Sequence, residues 1–244
     1  MGDSAEARFG PRIEAALERV RDKVFLMGTA GRWHVGKASD VVRDAALVER
    51  YVTPLGEADS ADYLRALPEL IEQTRTADER CAAAWRVRTP SDNSADFLAG
   101  REHLIHLFAR FRFRLKVYER LVRRSEKPLL RIAVELLGAS HTSTAEVEGL
   151  EAVVRMSLAE FVAIEEGLAA DLLDADTARE RLWAAYEELA LGIARSRPDH
   201  DAVTTACARA GLQRAANWYD HRPGYSFAEY ARPWIQRAVD ERRG

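Results

Sequence analysis

Two cysteines in 244 residues, Cys81 and Cys207, exclude a disulfide framework, and they lack the close spacing of a metal-binding cluster. Such sparing use of thiols fits a reducing compartment, and the sequence reads as cytoplasmic. No apolar run approaches the roughly 20 residues that a membrane-spanning helix needs. The opening residues, MGDSAEARFGPR, are polar, with acidic residues among them, and contain no signal-peptide core. Positive charge is not in excess either. A net charge of −3 and a pI near 6.1 exclude a global basic field, so any nucleic-acid contact has to be local. Alternating β-branched runs bounded by hairpin turns are missing, as are internal repeats and low-complexity tracts.

What is present is helical spacing, over a chain long enough to bury a substantial core. Ile13, Leu17, Val20 and Val24 follow Pro11, a residue that suits the first turn of a helix. Val41, Ala45, Val48 and Val52 follow Ser39, a residue type that caps helix N-termini. Leu104, Phe108, Phe111, Leu115, Tyr118 and Val122 alternate by four and three along one predicted helical face. Leu182, Tyr186, Leu189 and Ile193 repeat the pattern, and SLAE at Ser157 to Glu160 reads as a capping box. Breaks are expected around Gly28 to Gly36, at 54–62, at 89–93, at 138–144 and at Pro198. The expected fold class is all-α, a multi-helix bundle forming a single domain over residues 1–244.

Three motifs invite chemistry. GRWHVGKAS (31–39) matches most of a phosphate-binding loop, yet Ala38 stands where a magnesium-binding hydroxyl belongs, and no parallel sheet is predicted to hold such a loop. A connection between helices is the better reading. His103 and His106, three apart beside Glu102, have metal-ligand spacing but no further ligand cluster, so they read as packing or surface histidines. Residues 101–124 carry Arg110, Arg112, Arg114, Lys116, Arg120, Arg123 and Arg124 against Glu119; this face either follows phosphates or an acidic partner, or is simply solvated. No nucleophile–base arrangement stands out, and the sequence points to neither an enzyme nor a cofactor.

The C-terminal stretch DHRPGYSFAEYARPWIQRAVDE (220–241) concentrates Tyr225, Phe227, Tyr230 and Trp234 within ten residues, with arginines between them. Phe227, Tyr230 and Trp234 fall at i, i+3 and i+7, so one helical face could carry all three into a core. Ser226 and Glu229 predict a capping box and a helix start at Ser226. Pro233 leaves two courses open: the helix runs on and loses a backbone bond at about 3 kcal/mol, or the chain bends near Arg232 and restarts with Pro233 in a first turn. A bend with Tyr230 and Trp234 beside Arg232 and Arg237 would make a stacking surface for bases with cations for the backbone.

From AGLQRAANWYDHRPGYSFAEYARPWIQRAVDE onward, the chain resembles region 2 of bacterial RNA polymerase sigma factors of the sigma-70 family. The matching positions are Gly211, Leu212, Ala215, Tyr219, Gly224, Tyr225, Phe227, Tyr230, Ala231, Trp234, Ile235 and Ala238. EELALGIARSR and MSLAEFVAIEEGL are similar to helices that precede this segment in the family. LFARFRFRLKVYERLV is similar to the insert helices of primary sigma factors, and FLMGT to the start of region 1.2. The resemblance thus divides the chain into region 1.2-like and insert-like helices over 1–140 and a region 2-like part over 145–244.

The resemblance implies a transcription initiation factor, with core RNA polymerase (its β′ clamp helices) and promoter DNA as partners, the −10 element being held as a single strand. It implies that Tyr230 stacks on a flipped base and that Trp234 supports the upstream fork. Tyr225 and Phe227 would be partly structural, and Arg222, Arg232 and Arg237 would hold phosphates. There are departures too. Pro233-Trp234 stands for the family's Trp-Trp pair, Glu229 for a small polar residue, and DAVTTACARAG (201–211), without a glutamate, for the acidic clamp-binding segment. Regions 3 and 4 have no counterpart. A second reading therefore stands beside the first: a sigma-fold protein-interaction module, acting as decoy, adaptor or regulator, that no longer opens promoters.

Overall fold

The computed structural model describes residues 5–87, 95–125, 143–198, 200–220 and 226–241. Within them the chain is all-α, with eleven helices and a single isolated β-bridge between Val52 and Phe113. In chain order the helices are α1 (Ala5–Leu26), α2 (Ala30–Arg43), α3 (Leu47–Tyr51), α4 (Glu57–Val87), α5 (Ala95–Arg110), α6 (Leu115–Ser125), α7 (Thr144–Val154), α8 (Leu158–Ala185), α9 (Glu187–Arg195), α10 (Ala202–Trp218) and α11 (Phe227–Asp240). Two compact units result: Met1–Glu18 with Ala170–Gly244, and Arg19–Ala169. Among the described residues no helix is long and apolar enough to cross a membrane.

In the unit formed by residues 19–169, the core gathers around His34, which is fully buried. Its ring stacks on Phe108 at a centroid distance of 4.3 Å, with Phe25, Trp33, Phe111, Phe113 and Tyr118 around it. His34 Nδ1 lies 2.8 Å from the Ala30 carbonyl, which can only accept, so Nδ1 carries the proton. The Tyr118 hydroxyl then donates to Nε2 at 3.1 Å. Burial lowers the His34 pKa to about 3, so the ring is neutral.

That placement corrects the reading of residues 31–39. They are not a connection between helices but lie inside α2, with Gly31, His34 and Ala38 on its buried side. The chain breaks only between α1 and α2, where the Gly28 N–H donates to the Val154 carbonyl at 2.8 Å. Ser39 caps nothing: its hydroxyl donates back to the Val35 carbonyl at 2.7 Å, inside the helix. Pro11 likewise does not open a helix, since α1 starts at Ala5 and carries Pro11 internally on an exposed position. Ile13, Leu17, Val20 and Val24 are nevertheless buried, as their spacing predicts.

The predicted continuous helix over 104–122 is two helices. All six apolar residues are buried, but the backbone turns a corner at 111–114, where Arg112 takes a left-handed φ of 51°. The cause is the chain leaving α3, from Tyr51 through the extended Val52 to Thr53. Thr53 N–H donates to the Arg112 carbonyl at 2.8 Å, and Arg114 N–H donates to the Tyr51 carbonyl at 2.8 Å. The Arg114 guanidinium adds bonds to the Val52 and Glu49 carbonyls at 2.7 and 2.6 Å. These bonds replace helical ones and offset the cost of a left-handed non-glycine residue, about 1 kcal/mol. They also take Arg114 out of the basic stripe, while Lys116 and Arg123 pair with the buried Glu119.

The other unit joins the first turns of α1 to the later part of α8 and to α9, α10 and α11. The predicted helix through Leu182 and Ile193 is interrupted at Tyr186, which separates α8 from α9. The capping box at Ser157 is present, with Ser157 Oγ accepting the Glu160 N–H at 3.2 Å. α10 starts on Asp201, whose carboxylate accepts the Thr204 N–H at 2.7 Å. α10 and α11 pack closely where Gly211 of one faces the backbone at Trp234 and Ile235 of the other, with Ala208, Ala215, Ala231 and Ile235 all buried.

Candidate nucleic-acid interface

Everything singled out by the aromatic stretch depends on how α11 is rolled. The helix starts as its sequence predicts. Ser226 Oγ accepts the Glu229 N–H at 3.2 Å, and the Glu229 carboxylate accepts the Ser226 N–H at 3.0 Å and its hydroxyl at 2.8 Å. These bonds hold the Glu229 carboxyl below its ordinary range, so it stays charged.

Of the two courses open at Pro233, the uninterrupted helix is the one taken: α11 runs through Pro233 without a bend at Arg232. Pro233 is exposed, so the one helical bond it removes would have ended on the Glu229 carbonyl, in an exposed turn where water can replace the donor.

Burial then sorts the aromatics. Phe227, Ala231, Ile235 and Val239 form the buried stripe, one residue every four. Phe227 is fully buried, edge-on to Tyr186 and Tyr219 at 5.0 and 5.1 Å. It belongs to the core and has no surface for a ligand to touch, which corrects its place among the DNA-contacting candidates. Tyr230 and Trp234 do not join it in the core. Both are half-buried on the flank of the stripe, with ring centroids 6.1 Å apart, and Tyr230 is backed by Tyr219 at 5.5 Å.

A continuous helix also separates the arginines. At about 100° per residue, Arg237 returns to within about 20° of Tyr230, whereas Arg232 lies about 160° away. Both are exposed. The structure therefore brings together Tyr230, Trp234 and Arg237 and leaves Arg232 on the opposite flank. Arg222 and Tyr225 lie outside the described residues. Glu229 sits about a quarter turn from Tyr230, bound back to Ser226.

One contributor carried no signal in the sequence. The carboxylate of Glu6, from the first turn of α1, accepts the Phe227 N–H at 2.9 Å across 221 residues of sequence. Its other oxygen accepts the Tyr219 hydroxyl at 2.8 Å, and the Tyr186 hydroxyl lies 3.5 Å from the oxygen that holds Phe227. Burial and the Glu6 charge together push the Tyr186 phenol up. No local pattern connects an acidic residue near the N-terminus to a helix start so distant.

Residues 201–211 form the first half of α10. The carboxylate of Asp201 is committed to Thr204, and Arg209 pairs with Glu187 at 2.8 Å. Val203 stands half-exposed beside exposed Ala202 and Ala206. Between Asp201 and Arg209 this surface is short-chained and has no carboxylate, where the resemblance leads one to expect several.

Elsewhere, a groove of about 670 Å³ runs between α4 and α5, lined among others by Glu72, Arg80, Cys81, Asp96 and His103. Burial raises the Cys81 thiol, the opposite of what activates a nucleophile. His103 and His106 are exposed on α5, and among the described residues no group of three His, Cys, Asp or Glu is placed to hold a metal. Comparison with known proteins returns no matching family model and no matching curated protein.

Proposed function

We propose that this chain is a divergent sigma-like transcription initiation factor that engages core RNA polymerase and captures a −10-like promoter element as single-stranded DNA on α11. The observation that carries the reading is the shared face of Tyr230, Trp234 and Arg237 in the segment whose sequence resembles region 2. Two partly buried rings keep some surface for unstacked bases, and the neighbouring exposed guanidinium offers charge to the strand's phosphates. Base flipping needs this kind of replacement for lost stacking. The test is anisotropy with a labelled −10-like single strand. Tyr230→Ala is expected to weaken binding by about 1–3 kcal/mol; equal affinity would sink the stacking role.

The short-chained surface of 201–211 favours a second reading, in which the fold serves another protein and no longer holds the polymerase clamp. Co-migration with core polymerase on size exclusion, in competition with a housekeeping sigma factor, separates the two. Competitive binding supports the first reading, and absence of binding supports the second.

A further inference from the structure

We infer that Glu6 is a positioning residue for the aromatic face of α11: one carboxylate, from the far end of the chain, fixes both the first turn of that helix and the ring that backs Tyr230. The inference rests on the reading of α11 as a strand-binding face, but its geometry is independent of that reading.

The first four N–H groups of a helix have no partner within it. In α11 the capping box satisfies Glu229 N–H from inside the chain. Phe227 N–H is satisfied by Glu6, at 2.9 Å and half-buried. A carboxylate at a helix N-terminus also meets the favourable end of the helix dipole. The second oxygen of Glu6 accepts from Tyr219 OH, at 2.8 Å. Tyr219 follows the end of α10, and its ring meets Phe227 at 5.1 Å and Tyr230 at 5.5 Å. Tyr230 in turn meets Trp234 at 6.1 Å. A single side chain thus spans the two sides of the connection between α10 and α11. It sets where α11 begins, and through Tyr219 it limits how the Tyr230 ring can tilt.

Glu6 touches no proposed ligand surface itself. Removing it leaves the buried stripe of Phe227, Ala231, Ile235 and Val239 in place, so the helix persists while its first turn and the Tyr219 ring lose their anchor. Glutamine keeps an acceptor oxygen for the Phe227 N–H, but its NH2 can meet the Tyr219 hydroxyl only as a donor, so that bond is reversed, and the charge is gone.

The test uses the full chain with Glu6→Ala and Glu6→Gln, read by amide hydrogen exchange and by anisotropy with the −10-like single strand. Exchange at Phe227 is expected to speed up in Glu6→Ala by roughly three- to tenfold, with partial rescue in Glu6→Gln, while amides in the centre of α10 hold their wild-type rates. Affinity for the strand is expected to fall by a similar factor in Glu6→Ala, again partly rescued by glutamine. Unchanged exchange at Phe227, or faster exchange throughout α10 and α11 alike, would overturn the positioning role. So would wild-type strand affinity in a Glu6→Ala protein whose Tyr230→Ala counterpart has lost it. If the wild-type chain binds no strand, the functional reading fails, and the exchange pattern alone decides whether Glu6 positions α11.

Discussion

Gly211 faces the backbone of Ile235 so closely that a Cβ added to it would lie 2.8 Å from Ile235 Cα and 2.9 Å from the Trp234 carbonyl oxygen. The contact fixes how near α10 comes to α11, and thereby the height at which Trp234 stands on its flank. Neither backbone group can swing aside as a flexible side chain would. Gly211→Ala is therefore expected to destabilise the protein by about 1–3 kcal/mol, although alanine is the better helix former by about 1 kcal/mol. Gly192 in α9 has nothing within 4 Å of the same position, so Gly192→Ala is expected to raise stability by about 0.5–1 kcal/mol. Urea unfolding of the two variants should move in opposite directions.

The roll of α11 makes its two arginines unequal. Arg237→Ala is expected to weaken binding of the single strand and to lower the slope of log affinity against log salt by about one. Arg232→Ala, on the opposite flank, should leave both nearly as they are. Anisotropy titrations over roughly 50 to 200 mM salt distinguish them. Equal effects would mean that the strand does not lie along the Tyr230 and Trp234 face.

His34 sets an acid limit on the unit it occupies. Its folded pKa of about 3 lies below the ordinary value of 6.5, so between these values the unfolded chain binds the proton and the folded chain does not. The stability is present in full above pH 6.5 and drains as the pH falls toward 3, at roughly 1 kcal/mol per pH unit. His34→Leu should be less stable at pH 7, because Tyr118 loses its acceptor, yet lose less than the wild type between pH 7 and pH 5. Unfolding midpoints at the two pH values measure the difference, and parallel losses would contradict it.

How far these features were legible in the sequence depended on the distance over which their causes act. The capping boxes at Ser157 and Ser226 span three residues each, and both form as read. Periodicity identified the buried residues between Leu104 and Val122, because burial follows spacing whether or not the helix is continuous. It did not show the corner at Arg112, which is made by a segment some 60 residues earlier in the chain. Pro11 and Pro233 both sit inside their helices for a related reason, one that spacing alone does not reveal: each is exposed in a helix whose packing on the other side outweighs one lost bond. In the candidate interface, Tyr230, Trp234 and Arg237 were nameable from sequence. That Phe227 belongs to the core and Arg232 to the opposite flank followed only once the helix was known to be straight.

The join between residues 51–53 and 112–114 has a consequence for how this unit assembles. Its local spacing suits one long helix, whereas the bonds that break that helix in two wait on the meeting of chain segments some 60 residues apart. The left-handed turn at Arg112 gains its bonds only after that meeting. Residues 101–124 are thus expected to be one helix when cut from the rest of the chain, and two, α5 and α6, only where residues 51–53 are present to hold the corner.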